Sequence, residues 1–260
     1  MMNRCLFHQF FLHVSWEQQI SADTRLSTMS TPPATDLART DPLTVQPQLR
    51  DMLVGIAAML AAYALFIGSA FGLRDVSGGA GIKVLLPALI VFALVFATLF
   101  VVVYCKRRGL PLGFRPLGIR GWHLVWQVPA GILGALVCTS IVGTLFGIEG
   151  DGRTDTMGSG TALVLFTLGA YLLIGPFLEE VVFRRLIMGY LDRIMPAAAS
   201  VILSSLVFGL AHIAPPAIIY AFFVGVSLAL VTRWHRSLWA GFILHMCNNV
   251  LVQITVMFGS

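Results

Sequence analysis

Apolar residues in this chain gather into long, nearly unbroken runs instead of the spaced stripes of a soluble amphipathic helix. Crossing a bilayer as a helix takes roughly 20 mostly apolar residues. Seven segments read as candidate spans: Met52–Leu73, Ile82–Cys105, His123–Gly147, Thr161–Tyr190, Pro196–Ile213, Ala217–Thr232 and Leu238–Phe258. The fourth is long, while the fifth and sixth are short. Pro215-Pro216 between those two predicts a tight turn. No internal repeat and no inserted soluble domain stands out. The predicted fold class is all-α, a polytopic transmembrane helical bundle of about seven spans.

Residues 1–50 break the pattern. From Ser21 to Arg50 the chain is rich in Ser, Thr, Pro and Gln and has no apolar period. Such a segment cannot bury enough surface to offset its ordering entropy, so it reads as a disordered cytoplasmic tail. The apolar patches from Cys5 to Trp16 are interrupted by His8, Gln9 and His13. They lack the charged, apolar and small-residue order of a secretory signal. The expected organisation is a tail over 1–50, three membrane helices over 51–150, and a C-terminal helical region over 151–260 that holds the unusual chemistry.

Composition sharpens this. The chain is 57% hydrophobic and only 11% charged, against about 25% charged residues in soluble domains. The net charge of +5 sits at segment ends and implies no nucleic-acid partner. Lys106, Arg107, Arg108, Arg115 and Arg120 lie between the second and third spans without one acid, whereas the next loop carries Glu149, Asp151 and Asp155. Basic loops stay cytoplasmic, which places the N-terminus inside and the C-terminus outside. Cys5, Cys105, Cys138 and Cys247 are too scattered for a disulfide framework or a zinc ribbon.

A few ionisable residues remain inside apolar runs. The translocon scale charges about 2.5–3.5 kcal/mol for an acid or Arg at mid-membrane. Such residues usually face a bundle interior and mark a functional site. The fourth span holds Glu179, Glu180 and Arg184, the fifth His212, and the seventh His245 and Asn249. Positions i and i+4 share a helix face, so Glu180 and Arg184 are expected to pair. Glu179 points about 100° away and lacks that counter-charge, which makes it the candidate general base. His245 and Asn249 share a face of the last helix. Arg185, Arg193 and the Arg233/His235/Arg236 group near span ends read as anchors that snorkel to the interface. Asn248 reads as helix–helix glue.

Glu179-Glu180-x-x-x-Arg184, Phe208-x-x-x-His212 and His245-x-x-x-Asn249 resemble, in order, the three motifs of the CPBP intramembrane proteases, the family of the CAAX prenyl endopeptidases and bacteriocin-processing proteins. The resemblance covers about Thr161 to Phe258. It implies a bacterial inner-membrane endopeptidase whose partners are the bilayer and a peptide or protein substrate, lipid-modified or membrane-bound. It implies Glu179 as the base that activates water, assisted by His212. His245 and Asn249 would steady the oxyanion, and Glu180 and Arg184 would organise the site. Members of the family have been described both as metalloproteases and as metal-independent glutamate proteases. The HExxH spacing of helical zinc proteases is absent, so no cofactor is expected, with zinc as the alternative.

Two other functions compete. An ion-coupled carrier would use the same charges as a relay, and a catalytically silent immunity or partner-binding protein would keep the fold without turnover. Depth along the helices sets a constraint on the shared site. At 1.5 Å per residue, Glu179, His245 and His212 lie roughly 16, 12 and 24 Å from the inner ends of their spans. The fifth span must therefore tilt, or start along the interface, for the three to meet.

Overall fold

The computed structural model describes residues 45–148 except 77, together with 165 and 167–258. The tail over residues 1–44 and the acidic loop from Glu149 to Asp155 lie outside the described residues. Those described fold into seven helices with no strand. They are α1 (Leu49–Val76), α2 (Gly78–Arg107), α3 (Leu124–Phe146), α4, α5 (Ala197–Leu210), α6 (Pro215–His235) and α7 (Leu238–Phe258). Helix α4 is composite: Ala170–Ile174, Gly175–Glu179, Glu180–Met188 and Gly189–Leu191 follow one another without a break. A short 3₁₀ turn, Ile119–His123, leads into α3.

Five of these helices are long and apolar enough to cross a bilayer, over Leu49–Ser69, Leu85–Arg107, Ile119–Phe146, Pro215–His235 and Leu238–Thr255. The protein is a polytopic helical membrane protein. Its outer surface agrees, with Leu53, Leu60, Phe92, Phe96, Val125 and Leu133 all exposed on the flanks of the bundle. Water would penalise such a surface; lipid does not.

Two expectations need correction. The fifth span is a helix of 14 residues, only about 21 Å long against a hydrocarbon core of about 30 Å. It stops at Leu210, so His212 lies beyond the helix and not within it. Pro215 keeps the chain from running on as one helix into α6, because the residue before a proline is pushed to extended backbone; Ala214 has φ −80° and ψ 133°. The fourth span is not a uniform α-helix. Ala170–Ile174 and Glu180–Met188 are π-helical, a form found mostly as short bulges and often at functional sites.

Helix α4 is the hub. Every residue from Glu180 to Met188 is buried. Helix α1 lies against it where a side chain on Gly55 would collide with Leu186 and Val182. Helix α5 meets it through Phe183 and Phe208, whose rings stand edge to face at 5.1 Å. Helix α7 approaches closest, at Gly241: a Cβ there would lie 2.6 Å from Glu180 Oε2 and would also strike Thr232 of α6. Glycine lets α7 come this near to a buried carboxylate.

Arg185 also departs from expectation. It does not snorkel: it is 3% exposed and donates to the carbonyls of Pro111, at 2.6 Å, and Val45. Nearby, Arg193 donates to Pro47 O at 3.1 Å. Asp51, fully buried, accepts from Tyr104 at 2.6 Å, from Arg108 at 3.3 Å and from the backbone of Gln48 at 2.8 Å. Arg233, by contrast, pairs with Asp192 and donates to Ser200.

Candidate active site

Glu179, Glu180 and Arg184 of α4 gather with His245 of α7. Arg184 Nε lies 3.6 Å from Glu180 Oε2, and both side chains are fully buried. Arg184 also stacks over the Phe208 ring, 4.6 Å from its centroid, and its Nη2 reaches Gly225 O at 3.4 Å. A guanidinium is tolerated on an aromatic face because the ring's negative π surface attracts cations.

His245 of α7 sits between the two glutamates. Its Nδ1 is 3.1 Å from Glu180 Oε1, and its Nε2 is 3.5 Å from Glu179 Oε2. A neutral imidazole donates from one nitrogen only, whereas the protonated ring donates from both. The nitrogen on Glu180 is at hydrogen-bond distance, and the one facing Glu179 is farther off. The two acids differ sharply in access. Glu180 is fully buried, whereas the Glu179 side chain is 21% exposed. Of the two, Glu179 is the accessible acid.

His212 joins this group through an aromatic ring. Its imidazole folds back along α5, with Nδ1 3.1 Å from Phe208 O, and its ring centroid is 5.3 Å from that of Phe208. The His245 ring touches the same phenyl at 5.6 Å. The contact Glu179 makes is with His245; His212 reaches the group through the Phe208 ring.

Asn249, one turn beyond His245, is 9% exposed and donates to Tyr171 O of α4 at 3.1 Å. Asn248 accepts from the Tyr220 hydroxyl of α6 at 2.6 Å, so it does bridge two helices. Two residues were missed in the sequence. Tyr220 carried no signal, since a tyrosine in an apolar span looks like packing. Phe208 was read only as a motif letter, yet it carries Arg184, His212 and His245 on its ring. As for a metal, among the described residues no three His, Cys, Asp or Glu side chains form a ligand set. Glu180 is already committed to Arg184 and His245.

A helical membrane protein with a Glu–His–Glu–Arg group inside its bundle, one glutamate left accessible, is the class that fold and site define. Residues 161–251 match the family model of type II CAAX prenyl endopeptidase Rce1-like proteins, and the resemblance carried by the three motifs holds over that segment. The chain is 39% identical over 88 residues to the membrane-embedded CAAX protease MroQ of Staphylococcus aureus (strain USA300), covering 32% of this chain and 36% of the relative. It is 26% identical over 142 residues to the putative membrane peptidase YdiL of Bacillus subtilis (strain 168), covering 52% of this chain and 57% of that one. The matched region thus spans between about a third and just over half of these relatives' lengths. No solved structure matches.

Proposed function

We propose that this protein is a membrane endopeptidase that hydrolyses a peptide bond with a water activated by Glu179. The observation that carries the reading is the asymmetry of the glutamate pair. Glu180 is sealed and balanced by Arg184, while Glu179 keeps an accessible carboxylate against an imidazole.

The steps follow from that asymmetry. The Glu179 carboxylate takes a proton from water as the oxygen attacks the scissile carbonyl. The tetrahedral oxyanion is met by the Asn249 amide, a donor fixed beforehand, and by His245 Nε2–H, which turns to it from its looser contact with Glu179. The proton held by Glu179 then goes to the leaving amine as the C–N bond breaks. His212 assists from beside Phe208, and Glu180 with Arg184 holds His245 in place. The reaction as proposed needs no metal, in keeping with the commitment of Glu180 to Arg184. Stoichiometric zinc in the purified protein, with cleavage lost on chelation, would replace this version. The substrate is a peptide or protein presented at or within the bilayer, and the N-terminus is placed on the cytoplasmic side of a bacterial inner membrane.

The test compares a deletion strain complemented with wild type or with Glu179→Gln, reading new protein termini by mass spectrometry. Cleavages present with wild type should disappear with Glu179→Gln while insertion and melting temperature hold. Removing a general base costs on the order of 10²–10⁴ in rate, enough to empty the termini list. Termini that persist in Glu179→Gln would instead favour a carrier or partner-binding role.

A further inference from the structure

Beyond the motif residues, a chain of hydrogen bonds crosses three helices and ends on Asn249. The Tyr220 hydroxyl of α6 donates to Asn248 Oδ1 at 2.6 Å. Asn248 Nδ2 donates to Asn249 Oδ1 at 3.4 Å. Asn249 Nδ2 donates to Tyr171 O of α4 at 3.1 Å. Both amides are buried, at 6% and 9% exposure.

The direction of this chain is fixed by its end. A backbone carbonyl only accepts, so Asn249 must turn its NH₂ toward Tyr171. Its oxygen then faces Asn248, whose NH₂ must point to it. Asn248 in turn shows its oxygen to Tyr220, and the tyrosine hydroxyl can supply the proton. No link can flip without breaking its neighbours. Asn249 has two N–H donors and spends one on Tyr171, which leaves the other free.

We infer that Tyr220 and Asn248 are positioning residues that lock the Asn249 amide with this second N–H facing the reacting carbonyl. The inference rests on the endopeptidase reading for what that donor does. An asparagine free to rotate by 180° would present its oxygen to the oxyanion for part of the time and repel it. A donor contributes to catalysis by being fixed before charge develops, and the relay supplies that fixity from a helix outside the motif pattern. Neither Tyr220 nor Asn248 needs to touch the substrate.

The first experiment is independent of turnover. The sequence holds only three asparagines, Asn3, Asn248 and Asn249. The full chain labelled with ¹⁵N-asparagine, in phosphatidylglycerol nanodiscs, therefore shows three side-chain amides. Tyr220→Phe removes one hydroxyl and should shift the Asn249 amide signal and speed its hydrogen exchange. An Asn249 signal that stays in place overturns the relay.

The second experiment uses, as probe, the member of a quenched-fluorescent peptide library that wild type cleaves and Glu179→Gln does not. Tyr220→Phe should lower kcat about tenfold with KM unchanged, as expected for weakening one oriented donor without losing it. In an Asn249→Ala background the same change should add nothing. An equal further loss in that background would mean that Tyr220 acts by general packing, and would overturn the positioning role. If no peptide is cleaved in a Glu179-dependent way, the endopeptidase reading fails and takes the catalytic half of this inference with it. The labelled amides would still decide whether Tyr220 orients Asn249.

Discussion

Why should a membrane helix carry two adjacent glutamates when one would balance an arginine? Their surroundings answer by dividing the work. Glu180 is the structural acid: it faces Arg184 on one oxygen and His245 on the other, with no exposure. Breaking a buried pair by removing one partner costs about 3–5 kcal/mol, because the remaining charge is stranded. Glu180→Gln should therefore lower the melting temperature in detergent by several degrees and reduce the yield of inserted protein. Glu179→Gln, at a more open site, should barely change either. Equal losses from the two variants would contradict the division. The pairing of Glu180 with Arg184 was legible in the sequence because i,i+4 neighbours share a face whatever else the chain does. The place of His245 between the carboxylates was not, because 65 residues separate it from Glu180 and only the packing of α7 on α4 joins them.

At the scale of the helix, apolar run length gave α1, α2, α3, α6 and α7 to within a few residues, since nothing but lipid competes for those segments. It could not show that α4 changes its hydrogen-bond register at Ala170 and again at Glu180, or that α5 ends at Leu210. Hydropathy counts carbon, and both features depend on backbone geometry, which the apolar pattern does not encode. Gly241 is a third such feature. In sequence it looks like a weak point in a helix, yet it sets how near α7 comes to Glu180. Gly241→Ala puts a methyl 2.6 Å from the Glu180 carboxylate, so helix or side chain must move. Overpacking of this kind costs about 1–3 kcal/mol. The variant should melt lower and lose turnover through displaced His245, and pairing it with Thr232→Ala, which removes the other atom the methyl strikes, should restore part of the stability. Stability unchanged by Gly241→Ala alone would mean α7 can slide, against the geometry seen.

Across the whole bundle, the site is held from a distance by polar ties at the end where α1 begins and α4 finishes. Arg185 is adjacent to Arg184 in sequence but serves a different neighbourhood: its guanidinium joins the α2–α3 connection, through Pro111 O, to the segment before α1, through Val45 O. Arg193 adds Pro47 O, and Asp51 pulls Tyr104 and Arg108 of α2 onto the start of α1. The first two helices, which lie outside the residues that match the family model, are thereby fastened to the helix that carries Glu179. Hydrogen bonds to charged groups contribute about 1.5–3 kcal/mol each. Arg185→Met keeps the length and apolar stem of the side chain but removes both carbonyl contacts. It should therefore lower stability by a few kcal/mol and should raise hydrogen exchange in residues 45–51 and 110–113 together, while exchange in α6 stays the same. If Arg185 were a snorkelling anchor, as its position near a span end first suggests, Arg185→Lys would be silent and Arg185→Met would alter insertion instead of local exchange. A lysine cannot span two carbonyls in fixed directions as a guanidinium does, so Arg185→Lys should reproduce much of the Arg185→Met exchange pattern. Hydrogen-exchange mass spectrometry on the three proteins separates a tie from an anchor.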